Sequence, residues 1–344
     1  MKKWILLLAL LITVRAVLPQ IILKRLNHYL ANFSPTHYIH MQDLDLSILR
    51  MLYEFQQIEM RFKNSAKNYL EIREVKVSLA WREILKGRVL MDAVVDGAHI
   101  FLSDKSMQTA KKDPNQTKDD ARNVSKKLFP VKIERLMIRQ SSFQYVANNR
   151  TLKVDPLEGE LTNIIPLDRT TGGLQSVSQF KLKGIFPPSE ATMSMDGNAR
   201  FFKDPIDWSA KLIVKNFDLP SANGILFNIP FSFQSGRLDL FAEVKRENGN
   251  LKGYLKPFLN DVDIVGNEKD FKSGKHFFYE ILSAVGNFVF KDSDTNTLAS
   301  KIYFYKSRND KEIQIDKDGA ISSAYQHGFK KPLRPKLSEE IHLK

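Results

Sequence analysis

Apolar and polar residues alternate along most of this chain, and the alternation begins where a long apolar leader ends. From residue 41 onward the period is two. Gln42-Asp43-Leu44-Asp45-Leu46-Ser47-Ile48 puts Leu44, Leu46 and Ile48 on one side of an extended chain and the carboxylates and hydroxyl on the other. Val75, Val77, Leu79 and Trp81 repeat the pattern around Lys76 and Ser78. It returns in Phe180 and Leu182, in Met193 and Met195, in Trp208 to Val214, and in Leu238 to Val244, each run interleaved with polar residues. So many half-buried strands predict a mainly β protein: a long, antiparallel sheet over residues 41–329 with one apolar face. Glu247-Asn248-Gly249-Asn250 separates two such runs. An Asn-Gly pair accepts the positive φ angles of a tight hairpin, so the flanking strands should pair directly. Asn148-Asn149-Arg150 and Asp196-Gly197-Asn198 are weaker turn signals, the second equally readable as a bulge in one long strand.

Two stretches break the alternation. Residues 103–130 are rich in Lys and Asp and poor in apolar residues, which predicts a solvated loop or frayed helix inserted into the sheet. Phe278, Ile281, Leu282, Val285, Phe288 and Val289 recur at helical spacing and predict a helix flanking the sheet, weakened by Gly286. The tail, 330–344, is basic and interrupted by Pro332 and Pro335, and reads as loose.

Ahead of the strands, Lys2 and Lys3 precede an apolar stretch from Trp4 to Leu23 in which Arg15 is the single charge. A helix crossing hydrocarbon needs about 20 mostly apolar residues. Residues 1–24 are therefore predicted to be a signal-anchor, with Trp4, Leu8, Leu11, Val17 and Ile21 in lipid and the bulk of the chain outside. Val14-Arg15-Ala16 also has the small-residue form of a signal-cleavage site, but an Arg at its centre and renewed apolar character downstream favour retention. Pro19 should kink or end the helix. In 25–40 the stripe Leu23, Leu26, Leu30 and Phe33 opposes Lys24, Arg25, Asn27 and Asn32. This predicts an amphipathic juxtamembrane helix, lying at the headgroups or packing on the domain behind it.

Composition narrows the partners. Among 344 residues, 52 Lys and Arg against 39 Asp and Glu give a formal charge of +13, which favours an anionic surface. The leader selects phospholipid over nucleic acid. The chain has no Cys, which excludes thiolate metal sites and cysteine nucleophiles. The Asp43/Asp45 and Asp261/Asp263 pairs alternate with apolar residues and read as wet strand faces, not as metal ligands. His37 and His40 stand apart from carboxylates, and no zinc-protease or nucleophile-elbow motif occurs. No catalytic residue, metal or cofactor is expected.

Three segments carry a family resemblance. Glu71-Ile72-Arg73-Glu74-Val75-Lys76-Val77-Ser78-Leu79-Ala80-Trp81, followed by Ile84-Leu85-Lys86-Gly87-Arg88-Val89, is one. Pro130 to Tyr145 is the second, and Ser235-Gly236-Arg237-Leu238-Asp239-Leu240 to Gly253-Tyr254-Leu255-Lys256-Pro257-Phe258 is the third. Their order behind an N-terminal anchor resembles the AsmA-like family of bacterial envelope proteins. That resemblance implies a long curved β-sheet with an apolar concave face, an inner-membrane anchor with a periplasmic domain, and a part in phospholipid movement or outer-membrane assembly. This chain is shorter than the larger relatives and carries the 103–130 insertion, so a single domain is expected.

Pattern and resemblance meet at one point: a sheet apolar on one side must cover that side or leave a groove. Each buried methylene contributes about 0.8 kcal/mol, so an acyl chain could fill a groove without specific polar contacts. The lining residues expected are Val75, Val77, Leu79, Trp81, Phe180, Leu182, Leu212, Val214, Leu238 and Leu240. The alternative is a closed β core whose basic surface docks on an envelope partner.

Overall fold

A computed structural model of the chain describes residues 2–32, 34, 36–47, 50–87, 89–103, 131–147, 150–165, 176–187, 189–201, 203, 205–224, 231–266, 297–310, 313–316, 319 and 333–341. The insertion at 104–130 and the helix expected at 278–289 lie outside these residues. The protein is mainly β. Among the described residues fourteen strands share one hydrogen-bonded ladder whose order follows the chain, with β12 off the path beside β11, and every pairing with a described register is antiparallel. The chain divides into two compact units, residues 1–145 with 156–176, and residues 146–155 with 177–344.

The first unit opens with helix α1 (Lys2–Ala31), followed by strands β1 (His37–Ser47), β2 (Leu52–Phe62) and β3 (Asn68–Leu79). A one-turn helix α2 (Trp81–Ile84) leads to β4 (Val89–Ser103) and β5 (Val131–Ala147). β6 (Arg150–Ile164) is divided between the units, and the last two residues of β5 belong to the second. Cross-strand register explains the choice of residues: Leu44, Phe55, Val75 and Val95 form one row, and Leu46, Tyr53, Val77 and Ala93 the next. Further along, Met41, Ile58, Ile72 and Ala98 align, as do Ile39, Met60, Leu70 and Ile100. The apolar phase thus shifts by one residue inside each of these four strands. Gln57 (φ 50°) and Gly97 (φ 65°) sit in the left-handed region at the shift, while the pairing register continues unchanged past them.

Helix α1 differs from the expected division into anchor and separate amphipathic helix. It runs without interruption through Pro19 to Ala31, and the segment assigned to the second helix becomes strand from His37. The correction has a physical cause at Asn27. Its side-chain amide donates to the Met41 carbonyl at 2.7 Å while its oxygen accepts from the Met41 N–H at 2.9 Å. That pairing satisfies both backbone groups on an edge strand that would otherwise offer them to another chain. Leu23, Leu26 and Leu30 are half-buried while Lys24 and Arg25 are exposed, so this stripe packs on the unit behind it.

The second unit contains β7 (Ser178–Phe186), β8 (Ala191–Arg200), β9 (Asp207–Asp218), a 3-10 turn at Leu219–Gly224, β10 (Phe231–Glu247) and β11 (Asn250–Gly266). Short strands β12 (Thr297–Ala299), β13 (Ile302–Lys306) and β14 (Gln314–Ile315) complete it. The Asn248-Gly249 hairpin forms as expected, with φ of 51° and 87° and Glu247 opposite Asn250. Asp196-Gly197-Asn198 is neither turn nor bulge: its residues stay in unbroken register inside β8.

A buried carboxylate secures that hairpin. Asp207 is fully buried, accepts the Asn248 N–H at 2.7 Å, pairs with Lys203 and lies 3.7 Å from Arg200. Burial alone would raise its pKa. The Lys203 ammonium, the Asn248 N–H and the Arg200 guanidinium outweigh burial and hold it below its ordinary 3.8. A carboxylate with a depressed folded pKa contributes its stability above the unfolded value and loses it as pH falls through the folded one. Asp207→Asn should therefore cost about 2 kcal/mol at neutral pH and reduce the loss of stability below pH about 4. Urea titrations at pH 7 and at pH 3 would check both effects.

Candidate functional site

Strand register in the second unit assembles six of the ten expected groove residues, Phe180, Leu182, Leu212, Val214, Leu238 and Leu240, on one face. Leu182, Met195, Leu212, Ala242, Leu255 and Ile302 stand opposite one another across six strands. The next row holds Gly184, Met193, Val214, Leu240 and Pro257, and a third holds Phe180, Gly197, Ala210, Val244, Gly253 and Phe304. Ala242, Val214 and Ile302 are buried, whereas Phe180, Leu182, Met193, Met195, Leu212, Leu240 and Leu255 are only half-buried. Part of each of these side chains stays accessible. Leu238 lies at the end of this face, paired with Phe217 and Leu259, and is half-buried too.

Two glycines set the floor of the third row. A Cβ on Gly197 would collide with the Ser209 carbonyl and lie 2.6 Å from the Phe180 ring; one on Gly253 would lie 2.6 Å from the Phe304 ring. Each aromatic side chain therefore lies across a neighbouring strand's glycine, which keeps both rings low on the sheet. At one end the face closes into a small core, where Phe186 and Phe217 meet edge to face at 5.1 Å and Leu219 of the 3-10 turn is buried. Asn223 fixes that turn by exchanging two 2.8 Å hydrogen bonds with the Phe233 backbone.

Val75, Val77 and Leu79, themselves half-buried, lie in the first unit opposite Val95, the buried Ala93 and Met91. Trp81 is a correction. β3 ends at Leu79, and Trp81 begins α2 instead of continuing the strand, 46% exposed and near Leu85 at 82%. The turn forms because the Leu85 and Ile84 N–H groups bond back to the Trp81 and Ala80 carbonyls. Of the anchor residues, Val17 and Ile21 project outward from α1, 44% and 49% exposed, while the side chains of Trp4, Leu8 and Leu11 lie outside the described residues. Among the described residues no helix is long and apolar enough to cross a membrane.

The opposite, charged face of the second unit holds a cluster that alternation alone read as a solvated surface. Glu243 is 0% exposed, although it stands opposite Lys211 and Tyr254 on that face. Its carboxylate accepts three successive backbone N–H groups from the C-terminal segment: Glu339 at 2.7 Å, Glu340 at 2.9 Å and Ile341 at 3.0 Å. Tyr254 Oη accepts the Ser338 N–H at 2.7 Å, and Lys256 Nζ donates to the Lys336 carbonyl at 2.7 Å. Lys301 Nζ reaches Glu340 at 2.6 Å while lying 4.5 Å over the Tyr254 ring. Residues 333–341 of the tail are thus docked, contrary to the loose tail expected.

Charge within the cluster is tuned by these contacts. Burial, with Lys301 beside it, holds the Lys256 ammonium below its usual range. Lys301 is pushed up, because Glu340 and Tyr303 outweigh the effect of burial. Glu340 is held below the carboxylate range by its hydrogen bond to Lys301. Burial pushes the Tyr254 phenol well up, so it stays protonated.

Asp43, Asp45, Asp261 and Asp263 are exposed beside less accessible apolar residues, as wet strand positions should be. Among the described residues no cluster of His and carboxylates is arranged to hold a metal ion. No family model matches the chain, and no curated protein matches it.

The degree of burial across the apolar face separates an accessible groove from a packed core. Leu212→Asp should cost less than about 2 kcal/mol, because the half-buried carboxylate can reach water. Ala242→Asp, in the same row but 1% exposed, should cost more than about 4 kcal/mol and unfold the second unit. Thermal melts followed by circular dichroism would rank the two.

Proposed function

We propose that this protein is a non-enzymatic, AsmA-like lipid-handling protein of the bacterial envelope. Its N-terminal segment ties it to the inner membrane, and the β-sheet stands in the periplasm. Its apolar face takes the acyl chains of phospholipid and contributes to envelope biogenesis. The observation that carries this reading is the set of half-buried apolar side chains aligned across β7 to β11 by register. Such a surface is costly in water, at about 25 cal/mol per Å², and a flexible hydrocarbon chain lowers that cost without needing directional contacts.

Two further features support the membrane part of the reading. Val17, Ile21 and Ile22 point away from the protein along α1, which suits lipid contact, and the formal charge of +13 suits an anionic headgroup surface. The three AsmA-like segments supply the envelope context.

Neighbouring positions with opposite orientation provide a test. A photo-crosslinking benzoylphenylalanine at Leu212 or Leu240 in the full chain, irradiated in cells with radiolabelled phospholipid, should acquire label. The same residue at Lys211 or Lys183, on the charged face, should acquire at least tenfold less. Equal labelling of the two faces, or none at Leu212 and Leu240, would reject acyl-chain binding there.

A further inference from the structure

The C-terminal segment is held in an unusual way: the protein reads mainly its backbone. Of the contacts from Glu243, Tyr254 and Lys256, all five go to main-chain N–H or C=O groups of residues 336 to 341. Three consecutive N–H groups converging on one anion form a nest, and Glu339 at φ 58° supplies the left-handed residue that a nest requires. The side chain of Glu340 is recognised as well, through Lys301 at 2.6 Å and Tyr303 at 3.2 Å.

Such a site has three physical properties. It is built by the sheet: Glu243 and Tyr254 face each other on β10 and β11, and Lys301 lies over the rings of Tyr254 and Tyr303 at 4.5 and 4.7 Å. It holds the segment through hydrogen bonds and an ion pair, so removing the segment would return Glu243, Lys256 and Lys301 to water, on a face that also carries the buried rings of Phe241 and Phe258. Its resident is also suboptimal, since a glutamate occupies a left-handed position that asparagine or glycine adopts more readily.

We propose that Glu243, Tyr254, Lys256 and Lys301 form a peptide-binding site whose resident ligand is the chain's own C-terminal segment. The ligand class is a short peptide that presents a backbone nest followed by a carboxylate. A partner segment of that chemistry binds by displacing the tail. Asn or Gly at the nest position improves the competitor, and loss of the carboxylate equivalent to Glu340 weakens it.

Competition in the full chain tests this directly. The probe is a fluorescein-labelled peptide of residues 333–344, titrated by anisotropy. A tethered resident competes at an effective concentration on the order of millimolar, so the unaltered chain should bind the probe weakly. A full chain carrying Glu340→Lys weakens its own resident and should bind the probe at least tenfold more tightly. Adding Glu243→Gln to that chain should remove the gain. A probe with Glu339→Asn should bind about threefold more tightly than the native sequence, and one with Glu340→Lys at least tenfold more weakly. Equal affinity in the unaltered and Glu340→Lys chains, absence of binding to the latter, or indifference to the probe's Glu340 would each overturn the proposal.

Discussion

Antiparallel pairing between strands adjacent in the chain is the constraint on which the other features depend. Each strand satisfies its backbone groups with its sequence neighbours, so the ladder needs no second layer for its hydrogen bonds. The two faces of the second unit are then free to differ. One collects Leu182, Leu212, Leu240 and their row-mates, and the other holds Lys211, Glu243 and Lys256 together with the buried rings of Phe241 and Phe258. A slip of one residue would exchange them, so register is under strong pressure. The left-handed residues Gln57 on β2 and Gly97 on β4 mark the change of apolar phase at points matched on either side of β3, so the rows stay aligned.

Edges and ends need separate solutions. Asn27 closes the β1 edge by imitating a strand's donor and acceptor with one side-chain amide. Asp207 ties the β10–β11 hairpin to the start of β9 through the Asn248 N–H. The C-terminal segment lies against Glu243 and Tyr254 on the charged face. In each case a polar side chain engages a backbone group, where water competition would make a side-chain ion pair worth little.

Much of the β architecture was legible, because alternation directly reports which side of a strand is dry. Asn248-Gly249 marked its hairpin for an equally local reason. Trp81 was misplaced because it continues the phase of Val75, Val77 and Leu79, and period two carries no information on where a strand stops. The phase shifts inside strands were also readable: Tyr53 and Phe55 give way to Ile58 and Met60, with the polar pair Gln56-Gln57 between. Pro19 misled in the other direction. The two helix ends it was expected to separate stayed continuous, and local propensity yielded to the tertiary contact of the following turns with β1.

The docked tail shows a different limit. Lys336 to Ile341 is recognised almost wholly through backbone atoms, so its side chains carry little trace of the interaction, and Glu243 looks like any charged position on a wet face. The apolar rows leave as little trace for the opposite reason, since contact with hydrocarbon is non-directional and no single residue need be fixed. Under the proposed reading one face binds by area and the other by main-chain geometry. Neither requires a side-chain motif, which is why both emerge only when register and hydrogen bonding are known residue by residue.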